Sequence, residues 1–314
     1  MLTLVVHERK PLLGRLVADG DDVRVELSRL GVAILREEVC RISVCYPMVA
    51  VWKVCIMPDH IHLIVRVKDD MPKGKHLGAV VRGFKTGCSR AWWRLFPTPA
   101  GNAAGTGPGC LVPSASPSCL VPSAFPEGKR QVLFEAGYND RILARDGQLD
   151  NWKHYLDDNP RRLFMKRRNP RLFTVLHDAE VMGRRCQMVG NRFLLDVPDK
   201  MAVIVHRRYT DEENERLRQA WLACGERGGV LVSAAIAPKE KAVLREAMNR
   251  GYRIVLLREN GFSPMYKPVG ESFDYCSRGL LLQISPWEYH TDSRVITRRQ
   301  CLELNALAEA IAGG

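Results

Sequence analysis

Apolar and polar positions alternate with period two in several short runs near the start of the chain. Leu2-Thr3-Leu4-Val5-Val6 reads as a first strand, closed by the charged turn His7-Glu8-Arg9-Lys10-Pro11. Gly20-Asp21-Asp22 marks a turn, and Val23-Arg24-Val25-Glu26-Leu27 alternates as a half-buried strand does. Ser28 is placed to cap an amphipathic helix that runs to about Arg41. Residues 49–56 and 60–67 are two β-rich runs joined near Pro58, which predicts a hairpin. The period then becomes helical over 75–96, where Leu77, Val80, Val81, Phe84 and Trp92 recur and Lys85, Arg90 and Arg94 are interleaved.

Residues 97–130 break the pattern. They are rich in Pro, Gly, Ala and Ser, and Cys110-Leu111-Val112-Pro113-Ser114-Ala115 returns almost unchanged as Cys119-Leu120-Val121-Pro122-Ser123-Ala124. Such a composition buries no core, so a disordered insertion is expected. Residues 131–136 resume as a strand. A helix capped by Asp146 or Asp150 should follow as far as Asp158, with Pro160 ending it.

From Lys200 onward, continuous apolar strands alternate with amphipathic helices. Strands are expected at 201–205, 229–233, 252–257 and 280–284, and helices at 211–224, capped by Thr210, and 238–250. Strands without a polar face, separated by helices, argue for a parallel sheet covered on both faces. The domains expected are therefore 1–175, a linker at 176–199, and an α/β domain at 200–314.

The chain has 314 residues, 46% hydrophobic and 26% charged, which excludes disorder throughout. A net charge of +12, from 47 Lys and Arg against 35 Asp and Glu, suits a polyanionic partner such as nucleic acid. The ten cysteines form no Cys-x-x-Cys pair, and Cys40, Cys45 and Cys55 lie in apolar patterns. They are read as reduced thiols. No run approaches about 18 consecutive apolar residues, and no charged segment followed by an apolar core opens the chain. A cytoplasmic protein with no membrane partner is expected.

The candidate chemistry sits in the second arm of the predicted hairpin. Alternate side chains of a strand share a face, so His60 and His62 point the same way while Ile61 and Leu63 point oppositely. Two neutral imidazoles on a rigid strand can hold a divalent metal; ordinary strand histidines are the alternative. Met57-Pro58-Asp59-His60-Ile61-His62-Leu63-Ile64-Val65 resembles the Met-Pro-(Asn/Asp)-His-hydrophobic-His-hydrophobic signature of the single-tyrosine HUH transposases, particularly the REP-associated tyrosine transposases. Their second motif, Tyr-hydrophobic-x-x-Asn-Pro, is matched by Tyr155-Leu156-Asp157-Asp158-Asn159-Pro160. The resemblance covers about residues 1–175. Family members carry a few more residues ahead of the first strand, so the start of the protein is left open.

The resemblance implies an α+β first domain of the HUH type, a ferredoxin-like antiparallel sheet with helices. It implies Tyr155 as nucleophile, His60 and His62 as metal ligands, and a 5′-phosphotyrosine intermediate on single-stranded or hairpin DNA. Asn159, one helical turn beyond Tyr155, is the third ligand on this reading, and its alternative is a helix C-cap before proline. Mg²⁺ or Mn²⁺ is the expected cofactor. The DNA-binding residues expected are Lys85, Arg90, Arg161, Arg162, Arg167 and Arg168, with a solvated charge run as the alternative. Tyr138 is the rival nucleophile and lacks the Asn-Pro context. A homodimer is one option for assembly. A replication-initiator or relaxase-like HUH nuclease and a domesticated hairpin-DNA-binding protein are the competing functions. The second domain bears a looser resemblance to Rossmann-like DNA-processing and lysine-decarboxylase-like proteins, through Gly228-Gly229-Val230-Leu231-Val232-Ser233-Ala234-Ala235 and Gly251-Tyr252-Arg253-Ile254-Val255-Leu256-Leu257. It has neither a Gly-x-Gly-x-x-Gly nor a Walker pattern, so a partner-binding or structural module is expected there.

Overall fold

Leu2 and Leu4 bury one face of the first strand, β1 (Leu2–Val5), and this alternation sets the layout of the first half of the chain. The computed structural model describes residues 1–20, 22–73, 76–97, 132–206, 208–292 and 295–313. They form two compact units, Met1–Phe164 and Met165–Gly314.

In the first unit, β1 is followed by the hairpin β2 (Gly14–Asp19) and β3 (Asp22–Leu27). Next come α1 (Arg29–Ala33), a π-helical turn (Ile34–Glu38) and α2 (Val39–Cys45), one run of helical backbone that continues past the expected end at Arg41. Ser28 caps it as expected, its Oγ accepting from Gly31 N at 3.1 Å. Then follow β4 (Val49–Met57), β5 (His60–Val67), α3 (Leu77–Leu95), β6 (Asn139–Asp140) and α4 (Gln148–Arg168). The main sheet has the order β4-β5-β1-β6, and every neighbouring pair is antiparallel. With the β2–β3 hairpin set aside, the element order is β-α-β-β-α-β.

Ile61 and Leu63 of β5 and Leu2 and Leu4 of β1 pack with Leu30, Ile34, Val80, Val81, Phe84 and Trp92 in one core. The histidine face of the same sheet is turned the other way. Helix α4 lies on that face, because Lys53 of β4 pairs with Asp157 at 2.5 Å and Leu156 is buried. This explains why Ile64 is buried on a face that sequence alternation leaves to polar side chains.

Three expectations are corrected in this unit. Residues 132–136 hold a single bridge, Phe134 to Val6, and the fourth strand is instead β6. Pro160 does not end a helix at Asp158; α4 runs through it to Arg168. Proline removes one backbone donor, yet the buried stripe Leu156, Asn159 and Arg162 continues across it and holds the helix together. Cys40 and Cys45 are exposed on α2, and Cys55 is half-buried. The insertion expected at 97–130 lies, from residue 98 onward, outside the described residues.

The second unit holds a six-stranded sheet: β7 (Leu176–Val181), β8 (Arg184–Gly190), β9 (Lys200–Ala202), β10 (Val230–Ser233), β11 (Arg253–Leu257) and β12 (Leu281–Ser285). Its order is β7-β8-β12-β11-β10-β9. Strands β9 to β12 run parallel, and β8 and β7 add antiparallel to β12. Helices α5 (Asp211–Glu226), α6 (Pro238–Arg250) and α7 (Glu271–Ser277) connect the parallel strands, and α8 (Arg298–Gly313) follows the last. Leu231, Ile254 and Leu281 pack with Trp221, Val243, Leu244 and Phe273 of the connecting helices. Their neighbours Val230, Val232, Val255, Leu282 and Ile284 pack with Leu304, Leu307 and Ile311 of α8. Both faces are covered, which is why these strands read as unbroken apolar runs.

Of the linker expected at 176–199, residues 176–190 are instead two strands of this sheet and their turn. Ala179, Val181, Cys186 and Met188 face the core while the charged residues between them face out. Met182 (φ 49°) and Gly183 (φ 71°) make the two-residue turn between β7 and β8, the positive-φ geometry that a tight hairpin prefers. Among the described residues, no helix is long and apolar enough to cross a membrane.

Candidate functional site

The turn Pro58-Asp59 joins β4 to β5 so tightly that Met57 pairs with His60. His60 and His62 then share a face, their rings 4.8 Å apart between centroids and 84° between planes. Each ring is held through its δ nitrogen. His60 Nδ1 lies 2.7 Å from Asp59 Oδ1, and Asp59 Oδ2 accepts from Arg9 at 3.3 Å. His62 Nδ1 lies 2.9 Å from the Thr3 hydroxyl, because β1 pairs Thr3 with His62. A carboxylate on Nδ1–H fixes the tautomer that leaves the Nε2 lone pair of His60 available, the arrangement usual behind a metal-ligating histidine.

His62 is buried, not half-exposed as a strand histidine facing solvent would be. Burial, with the neighbouring His60, pushes its pKa down to about 3, so the ring is neutral at ordinary pH and able to act as a ligand. Burial alone would raise the Asp59 carboxyl. The hydrogen bond and charge of His60, then Arg9, hold it below its ordinary value.

Helix α4 brings Asn159 to this face. Its side chain lies beside the thiol of Cys55, and Cys55 pairs with His62 across β4 and β5. Burial pushes the Cys55 thiol up to about 11. Asn159 is 4% exposed, and its Nδ2 reaches no hydrogen-bond partner. A buried amide without a full set of partners is costly and calls for a reason. Its position inside α4 removes the C-cap alternative.

Tyr155 stands one turn before Asn159 on α4 and is half-buried. Its ring meets Trp152 edge-on at 5.2 Å, and the Arg162 guanidinium lies 5.4 Å from its centroid. Tyr138 lies apart from this cluster, in the segment facing α3 near Gly78, and is 37% exposed.

The basic residues separate into different roles. Lys85 is taken up by the carbonyls of Glu135, at 2.6 Å, and Gly137, and burial lowers its pKa, so it ties α3 to the segment before β6. Arg90 is exposed on α3. Arg161 pairs with Asp158 at 2.5 Å. Arg162 is buried against Tyr155. Arg167 and Arg168 are exposed at the end of α4. Of these six, Arg162 is the one placed over the tyrosine ring.

Thr3, Arg9, Asp59 and Cys55 belong to the site and were not singled out from sequence. Asp59 adjoins His60 and was within reach of local reasoning. Thr3 and Cys55 enter only through strand register. Among the described residues no group of three or more His, Cys, Asp or Glu side chains could hold a metal ion. The set here is two imidazole nitrogens and an amide oxygen; the amide oxygen, with water, is a donor that Mg²⁺ or Mn²⁺ accepts, while imidazole is the more usual ligand of Zn²⁺ and other transition metals.

No family model and no curated protein matches this chain. Among solved structures, DNA processing protein A from Helicobacter pylori, described for its single-stranded DNA binding mode, aligns at 18% identity with a TM-score of 0.32. The alignment covers 44% of this chain and 65% of that one.

Proposed function

We propose that the first unit is a single-tyrosine HUH nuclease and strand transferase, a DNA transposase that acts on single-stranded, hairpin-containing DNA. The observation that carries this reading is the placement of Asn159: a buried amide beside the residue opposite His62 and one turn beyond Tyr155, whose carbonyl Oδ1 would be the ligating atom. The β-α-β-β-α-β order of the sheet, with β4 and β6 at its edges, agrees with the ferredoxin-like fold this class uses.

His60, His62 and Asn159 would hold Mg²⁺ or Mn²⁺, which when bound withdraws charge from a scissile phosphate. Asp59 and Thr3 keep the two rings in place, and Arg162 sets the orientation of Tyr155. The Tyr155 oxygen attacks phosphorus and loses its proton. The bond to the 3′ oxygen breaks, leaving a 5′-phosphotyrosine and a free 3′-hydroxyl. Reversal of the step rejoins the strand, so no external energy source is required. The second unit is read as a Rossmann-like module that binds a partner or supports the structure. At the start of its α6, Glu240 accepts from the amides of Val205, Ile236 and Ala237, at 2.7–3.0 Å, so a carboxylate of the chain itself occupies these N–H groups.

The test is incubation with single-stranded hairpin DNA from the flanks of its own gene, with and without Mg²⁺. A covalent adduct that requires the metal and maps to Tyr155 supports the proposal. Tight hairpin binding with no adduct under any metal condition would replace it with the domesticated binding protein.

A further inference from the structure

Trp152 on α4 has no part in the chemistry above. The apolar side chains packed against the core of the first unit, among the described residues, include neither Trp152 nor Tyr155. Trp152 instead meets Tyr155 edge-on at 5.2 Å and 78°, and the Arg141 guanidinium lies 5.6 Å from its ring centroid. With Arg162 over Tyr155, the four side chains make a row of two rings flanked by two cations: Arg141, Trp152, Tyr155, Arg162.

Arg141 and Trp152 are each held by the backbone. Arg141 directly follows β6, and its backbone exchanges hydrogen bonds with Met1: its carbonyl accepts from the Met1 ammonium at 2.7 Å, and its N–H donates to the Met1 carbonyl at 2.8 Å. Trp152 is fixed by α4. Arg141 is exposed and Trp152 half-buried, so a flat, electron-rich partner can reach both. Indole faces and guanidinium planes are the surfaces on which unstacked nucleobases settle, and neither makes a demand on base identity. An arginine in the same place also neutralises the adjoining phosphate.

We propose that Trp152 and Arg141 form a stacking platform for the nucleobase next to the phosphate that Tyr155 attacks. It rests on the reading of Tyr155 as nucleophile, and it makes an unpaired base at that position a requirement of the substrate. A paired base cannot leave its stack without an unpairing cost, so the platform selects single strands over duplex at the point of cleavage.

The experiment uses the full chain and single-stranded oligonucleotides from the gene's flanks, each carrying one 2-aminopurine, with the matching duplexes as controls. One position should change its fluorescence sharply on binding. Trp152→Ala should abolish that change and weaken single-strand binding by about 5- to 150-fold, with duplex binding unaltered. Trp152→Phe should restore most of both, which separates stacking from misfolding. Arg141→Ala should reduce the signal at the same position. A 2-aminopurine profile identical in the wild type and Trp152→Ala, or equal weakening of single strand and duplex, would overturn the platform. If the profile depends on Trp152 while no adduct forms on Tyr155, the platform stands as a base-binding site and the nucleophile reading fails. If the adduct forms and the profile ignores Trp152, the reverse holds.

Discussion

The side chain of Asn159 lies beside the thiol of Cys55, and Cys55 stands directly across from His62 in the β4–β5 pair. A helix residue 97 positions beyond His62 is thereby delivered to the histidine face by way of a residue that is neither ligand nor nucleophile. Substitution at Cys55 should therefore disturb the site without touching a proposed ligand. Cys55→Leu is expected to push Asn159 outward and lower Mn²⁺ affinity, read by calorimetry, whereas Cys55→Ser should stay near the wild type. Equal affinity in all three would separate Asn159 from the metal.

The two histidines should differ when removed. His60 is partly exposed and His62 is buried against Thr3. His60→Ala is expected to fold with little loss, while His62→Ala should lose about 1–3 kcal/mol in urea unfolding, from lost packing and an unpaired hydroxyl. On the proposed reading both lack metal-dependent cleavage. Full cleavage by the double variant would end that reading.

Acid should unfold the first unit early. His62 has its pKa near 3 in the folded protein against an ordinary 6.5, so below pH 6.5 the unfolded chain takes up a proton that the folded one refuses. Stability from this group is complete above 6.5 and is lost as pH falls towards 3, by about 1.4 kcal/mol per pH unit. Asp59, held below its ordinary value, adds loss of the same sign at the acid end. Urea midpoints between pH 4 and 8, compared with a His62→Gln variant, measure the histidine's share. A variant with an unchanged slope would show that another group is responsible.

Tyr155→Phe removes the oxygen proposed to attack the phosphate and keeps the ring between Trp152 and Arg162. DNA binding should survive and the covalent adduct disappear, while Tyr138→Phe should keep the adduct. Peptide mapping decides: a phosphotyrosine at Tyr138 would move the nucleophile away from α4.

Truncation should respect the six-stranded sheet. A fragment beginning at residue 200 loses β7 and β8 and uncovers the edge of β12, along with the apolar groups that Val181, Cys186 and Met188 cover. It is expected to aggregate. A fragment beginning at residue 169 retains the whole sheet and is expected to be soluble, with a cooperative unfolding transition. Solubility of the shorter fragment alone would show that β7 and β8 are dispensable.

Local pattern determined much of this protein. Period-two alternation at 60–67 put His60 and His62 on one face, and it held because strand geometry is a property of the backbone. Thr210 and Glu213 made the capping box at the start of α5, and Pro238 and Gly251 bounded α6, since caps act within one turn. The parallel strands were legible because burial on both faces leaves no polar positions. Tertiary contacts decided the rest. Pro160 signals a helix end, yet burial of Leu156, Asn159 and Arg162 against one face carried the helix past it. The charges of residues 176–190 resemble a linker until pairing with β12 gives their apolar alternates a core to face. Lys85 looked free for phosphate until two carbonyls distant in sequence claimed it. In each case the deciding energy is long-range burial or a hydrogen bond between segments far apart in the chain, and neither leaves a mark in local residue order.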